Sequence, residues 1–116
     1  MKLPNAHLAI VEEEKITAYL LDAAHPDNGG KAAFFHKLGF HRGDWATFAG
    51  ALRAIADAGK VTKNVESVHG TKYIVDGRLD TPSGKSPMVR SVWIVDRGVE
   101  APRLVTTYPH EGLEQP

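Results

Sequence analysis

Apolar residues recur at two different periods along this chain, and the change of period falls at Gly59. Before it the spacing is helical. Ile16, Tyr19 and Leu20 stand at i, i+3 and i+4, which predicts a helix over Glu12–Leu21, with Glu12–Glu14 at the positive end of its dipole. His25-Pro26 ends it, because proline biases the residue before it away from helical backbone. Asp27-Asn28-Gly29-Gly30 reads as a loop in which Asp27 or Asn28 caps the next helix. That short second helix is expected over Lys31–Leu38, with Phe34, Phe35 and Leu38 toward the core and Gly39 as a left-handed stop. The third helix has the clearest pattern. From Asp44 to Ala58, Trp45, Phe48, Ala49, Leu52, Ile55 and Ala56 keep helical spacing, and Gly59 closes the run.

Beyond Gly59 the period is two. Val61, Lys63 and Val65 alternate with polar neighbours, Val68-His-Gly70 makes a turn, and Lys72–Thr81 forms a second strand. Pro82–Lys85 is a hairpin loop, and Ser86–Asp96 and Arg103–Tyr108 complete the set. Helices followed by strands indicate an α+β fold: about three N-terminal helices packed on an antiparallel four-stranded meander. A single domain over residues 1–110 is expected, with 111–116 as a disordered tail.

The composition removes several function classes. There is no cysteine, so disulfides, thiolate metal sites and a thiol nucleophile are excluded. No apolar run approaches the roughly 20 residues of a membrane span, and no secretory signal is apparent, so a reducing cytoplasm is the expected compartment. The 14 basic and 14 acidic residues cancel, unlike the coat of a strongly basic nucleic-acid binder. Their distribution is uneven. Residues 1–59 hold six Lys/Arg against seven Asp/Glu, whereas residues 60–110 hold eight against five, leaving the sheet half mildly basic.

Six histidines lie at positions without metal-ligand spacing, so no metal or other cofactor is expected. Asn28-Gly-Gly-Lys31 lacks the spacing and hydroxyl of a Walker loop, leaving a glycine turn that opens a helix beside one lysine. No nucleophile elbow and no carboxylate pair stand out. What remains is His25 and Lys31 from the helical half with Lys72, Arg90, Thr106 and Tyr108 from the strands. Metal-free cleavage of RNA needs a base for the 2′-hydroxyl, an acid for the leaving 5′-oxygen and cations for the phosphorane, and these residue types supply all three. Alternation puts Arg90 on one face of its strand and Trp93 on the other, but leaves the register between Arg90 and Thr106 open. Each residue taken singly has a plain structural explanation, as a solvated strand position or as core.

His25-Pro-x-x-Gly-x-Lys31-Ala-x-x-Phe, Gly70-Thr-Lys-Tyr73-x-Val, Val89-Arg-Ser-x-Trp-Ile-Val and Pro102-Arg-Leu-x-Thr-x-Tyr108 together resemble a family of small bacterial domains of unknown function. More distantly, helices followed by a meander ending in Leu-Val-Thr-x-Tyr-Pro are similar to the barnase–EndoU–colicin–RelE ribonuclease superfamily, which includes many bacterial toxin domains. That second resemblance implies a metal-independent endoribonuclease acting on tRNA or another structured RNA. Carried over by position, it marks His25, Lys31, Arg90, Thr106 and Tyr108 as catalytic and Lys72 as a contact to RNA phosphate, with His25 or Tyr108 as acid/base and Lys31, Lys72 and Arg90 stabilising phosphate charge; Arg103 is expected as a further phosphate contact. The neutral charge departs from such toxins, which are often basic. The alternative is a non-catalytic module of a toxin- or phage-related locus that binds a cognate inhibitor or other partner protein, through Trp93 and the sheet edge.

Overall fold

The computed structural model describes residues 1–26 and 29–110. The helical first half and stranded second half follow the change of period at Gly59. Helix α1 comprises an α-helical turn, Glu13–Lys15, that widens into a π-helical turn, Ile16–Leu20, closed by Leu21 N–H on Ile16 O at 2.8 Å. Helix α2 is Gly29–Lys37 and α3 is Trp45–Ala58. Strands β1 (Lys60–Ser67), β2 (Gly70–Arg78), β3 (Met88–Asp96) and β4 (Arg103–Pro109) form an antiparallel meander in the order β1-β2-β3-β4. The expected α+β architecture is therefore the observed one. The loop between β2 and β3 is longer than the turn residues suggested, because both flanking strands stop short. The cap assigned to Asp27 or Asn28 and the tail 111–116 lie outside the described residues.

Helix α3 packs on β2 and β3, while α1 and α2 lie against β4, an edge strand. The core joins Ile16, Leu20 and Leu21 of the first helical segment, Phe35 and Leu38 near α2, and Phe48, Leu52 and Ile55 of α3 to Val61, Val75, Val89, Trp93 and Leu104. Phe48 sits between Phe35 and Phe40, with ring centroids at 4.8 and 4.4 Å. Trp93 is fully buried. Its indole Nε1–H donates to Ser91 Oγ at 2.8 Å, and that hydroxyl donates to Val75 O at 2.9 Å. Burial makes Trp93 part of the core and removes it as a partner contact.

Two glycines do different work from each other. Gly39 has φ +97° and ends the α2 segment in the left-handed conformation the sequence suggested. Gly59 ends α3 with extended backbone instead, and its N–H bonds Ile55 O at 2.7 Å. What Gly59 provides is closeness. A Cβ there would lie 2.6 Å from Ile55 O and 2.7 Å from Val75 Cγ1, so only glycine lets the end of α3 sit against β2.

The other sheet face carries the polar strand residues in rows. Asp76, Arg90 and Tyr108 are opposite one another across β2, β3 and β4. The next row is Ile74, Val92 and Thr106, and the one after that is Lys72, Ile94 and Arg103. A register shift between Val92 and Trp93 leaves Val105 as the extra residue of β4. This settles the open question of register: Arg90, Thr106 and Tyr108 share a face.

Candidate active site

The π turn of α1 decides where Tyr19 points. In a regular helix it would share the stripe of Ile16 and Leu20, both fully buried. Widening the turn keeps those two in the core and leaves Tyr19 half-buried, with its hydroxyl toward β4. The first turn of α2 brings Lys31 to the same point. Lys31 Nζ donates to Tyr19 Oη at 3.0 Å and to Thr106 Oγ1 at 3.2 Å, and the two hydroxyls are 3.5 Å apart. The ammonium also lies 5.2 Å from the Tyr19 ring centroid and 5.7 Å from that of Tyr108. His25 meets the Tyr19 ring edge-on, with centroids 5.0 Å apart.

Charge at this cluster is unbalanced. Among the described residues, the ion pairs engage Arg90, Arg103 and His110, and none engages Lys31. Lys31 is thus a half-buried cation held by neutral hydroxyls and aromatic faces. Its hydrogen bond to Tyr19 is the main cause holding that phenol below its usual pKa of 10.0. The Thr106 hydrogen bond and the charges of Lys31 and Lys15 act in the same direction, against desolvation.

Arg90 has a different setting. Its Nε and Nη2 donate to the two carboxylate oxygens of Asp76 at 2.8 and 2.9 Å, a bidentate pair. Nη2 also donates to His110 Nε2 at 2.8 Å, and His110 Nε2 is 3.4 Å from Asp76 Oδ2. The Asp76 hydrogen bond is the main cause raising the Arg90 pKa above its usual value. Desolvation opposes it, and Asp76 charge and Tyr108 add to it. Asp76 thus neutralises most of the positive charge that Arg90 would otherwise present to a phosphate.

The fold therefore brings five of the seven sequence-nominated residues together. Lys31, Thr106 and Tyr108 form the centre, His25 adjoins through Tyr19, and Arg90 adjoins through Tyr108. Lys72 and Arg103 lie outside these contacts, in the row next beyond Thr106, with Arg103 lining a shallow pocket beside Tyr19. Lys72 is exposed, and Arg103 pairs with Asp96 at 3.2 Å and reaches Glu12 at 4.0 Å. Sequence reasoning missed Tyr19, Asp76 and His110. Tyr19 was hidden inside an apolar stripe. The Asp76 signal was its polarity at a sheet position whose neighbours across the strands are Arg90 and Lys60. Among the described residues, no group of three or more His, Cys, Asp or Glu side chains converges as a metal site requires. None of their helices is long and apolar enough to cross a membrane.

Among solved structures, the chain is similar to one in a contact-dependent growth inhibition toxin–immunity protein complex from Klebsiella pneumoniae 342. The likeness has a TM-score of 0.70 at 20% identity, covering 90% of this chain and 95% of that one. At that identity the likeness is one of fold. No curated protein matches the sequence. Residues 2–111 match the family described as a domain of unknown function, DUF6883. With the match spanning nearly its whole length, the chain belongs to the DUF6883 family.

Proposed function

We propose that this chain is a metal-independent endoribonuclease-like domain of the toxin type, acting on tRNA or another structured RNA. The observation that carries the reading is Lys31: a half-buried ammonium with no described ion-pair partner, held by the hydroxyls of Tyr19 and Thr106 between two aromatic rings. Such a group suits the charge that builds on a phosphorane. In the proposed step, Tyr19, biased toward phenolate by Lys31, takes the proton of the RNA 2′-hydroxyl. The 2′-oxygen bonds to phosphorus and the P–O5′ bond breaks. His25 gives the departing 5′-oxygen a proton, leaving a 2′,3′-cyclic phosphate and a 5′-hydroxyl. Thr106 orients Lys31, and Tyr108 supplies an aromatic wall. Arg90 acts through Tyr108 as a positioning residue, because Asp76 already neutralises its charge. The toxin context draws on the fold likeness to a chain from a toxin–immunity complex.

The test is cleavage of total tRNA by purified protein in EDTA. Wild type should produce discrete fragments with cyclic phosphate ends, and Lys31→Met should lose about 100-fold or more in rate, the usual scale for one preorganised charge-stabilising group. Intact tRNA with wild type, or full activity in a folded Lys31→Met variant, would overturn the assignment. The alternative is a non-catalytic module that binds a partner protein. It draws on the same neighbour being a complex, and on β1, whose outer edge has no strand partner among the described residues. Intact tRNA would favour that reading.

A further inference from the structure

One helical turn beyond Lys31, α2 contributes to a second concavity that the proposed chemistry does not use. It has a volume of about 510 Å³ and is lined by Phe34, Lys37, Leu38, Lys85, Ser86 and Pro87. Its floor is apolar: Leu38 is buried, and Phe34 is half-buried and packs edge-on against Phe35 at 5.2 Å. Its rim is cationic. Lys37 and Lys85 are both exposed, neither has an ion-pair partner among the described residues, and no carboxylate lines the groove. The walls are held in place. Ser83 N–H donates to Leu38 O at 3.1 Å, tying the loop to the end of α2. Leu79 N–H donates to Pro87 O at 2.9 Å, closing the base of the same loop.

We propose that this groove is a nucleotide subsite, taking a nucleobase against Phe34 and a phosphate between Lys37 and Lys85. The chemistry of the walls selects such a ligand. An aromatic face beside Leu38 and Pro87 suits a planar ring, and two cations without a neighbouring acid suit a phosphate. The volume lies within the range of small-ligand sites, roughly 300–1,000 Å³. Position gives the subsite a purpose. Lys31 and Phe34 are neighbours at i and i+3 on α2, about 4.5 Å apart along the helix axis. On the opposite wall Pro87 leads into Met88, whose carbonyl accepts from the N–H of His110, the residue bonded to Arg90. A strand of RNA with its scissile phosphate at Lys31 would run directly into this groove. The inference takes its place in the molecule from the endoribonuclease reading, but its test requires no cleavage.

The experiment is titration of the full chain with 5′-AMP, adenosine and inorganic phosphate, followed by calorimetry and by amide shifts in NMR spectra. AMP should bind at least tenfold more tightly than either fragment, with shifts at Phe34, Lys37 and Lys85. Lys37→Glu/Lys85→Glu should weaken AMP at least tenfold while leaving the melting temperature unchanged. Phe34→Leu should reduce AMP to the affinity of inorganic phosphate; because Phe34 touches the core, the surface double variant carries the decision if Phe34→Leu melts early. AMP binding no tighter than phosphate, or equal binding by wild type and the double variant, would overturn the subsite. AMP binding as described together with intact tRNA would leave the subsite standing and remove the endoribonuclease assignment.

Discussion

Substituting Arg90 should destabilise the protein before it informs on catalysis, and the structure sets the size of that effect. Asp76 is 8% exposed and accepts both Arg90 hydrogen bonds, whereas the Arg90 side chain is 29% exposed. Arg90→Met therefore strands a buried carboxylate. Breaking a buried pair in this way costs about 3–5 kcal/mol. The partial exposure of Arg90 and the nearby His110 place this case at the low end, about 3 kcal/mol. For a domain of this size that is a fall of roughly 10–15 °C in melting temperature. Asp76→Asn removes the other partner at lower cost, about 1–2 kcal/mol, because the freed guanidinium can reach water. Thermal and urea melts of both single variants and the double variant, read as a double-mutant cycle, should give a coupling of about 2 kcal/mol and this order of costs. The reasoning fails if Asp76→Asn costs as much as Arg90→Met, or if Arg90→Met costs under about 1 kcal/mol. A loss of RNA cleavage in Arg90→Ala would then need comparison at a temperature where the variant is folded.

Two further outcomes rest on single contacts. Ser91→Ala should cost about 1–3 kcal/mol in urea melts, since it leaves the buried Trp93 indole N–H without its acceptor; a change under about 0.5 kcal/mol would show that the bond contributes little. Alkaline titration followed at 295 nm should find a phenol ionising below the usual value, absent in Tyr19→Phe and moved upward in Lys31→Met, because removing the ammonium takes away the main cause of the lowered pKa. A depressed acidic pKa stabilises the fold only above that pKa, so Tyr19→Phe should leave stability at neutral pH unaffected by this linkage and reduce it on the alkaline side.

The fold was legible because period and punctuation agreed. Helical spacing over Trp45–Ala58 and alternation along β3 are each imposed by burial on one face, and burial is what the apolar pattern records. The strand assignments erred only at their ends, where the loop between β2 and β3 holds itself together with its own hydrogen bonds. Thr81 Oγ1 donates to Lys85 O at 2.6 Å, and Arg78 Nη1 to Ser86 O at 2.9 Å. Gly59 was read correctly as the stop of α3. Its role is close approach to Val75, a contact across the fold that no local pattern encodes.

The site was half legible for a similar reason. Residue type nominated Lys31, Thr106 and Tyr108, and strand pairing then put Thr106 and Tyr108 on one face. Tyr19 failed the same procedure because a phenol at i+3 in an apolar stripe is indistinguishable from core until the helix widens around it. The π turn is the physical cause of the difference. By inserting one residue into the turn it keeps Ile16 and Leu20 buried and releases Tyr19 to Lys31, which a regular helix would not do at this spacing. Arg90 differs in the opposite direction. It looked like a cation offered to a phosphate, yet Asp76, fourteen residues earlier and directly across the strand, already holds it. Charge counted along a sequence therefore overstates the charge available at a site: Asp76 engages Arg90, whereas no ion pair among the described residues engages Lys31.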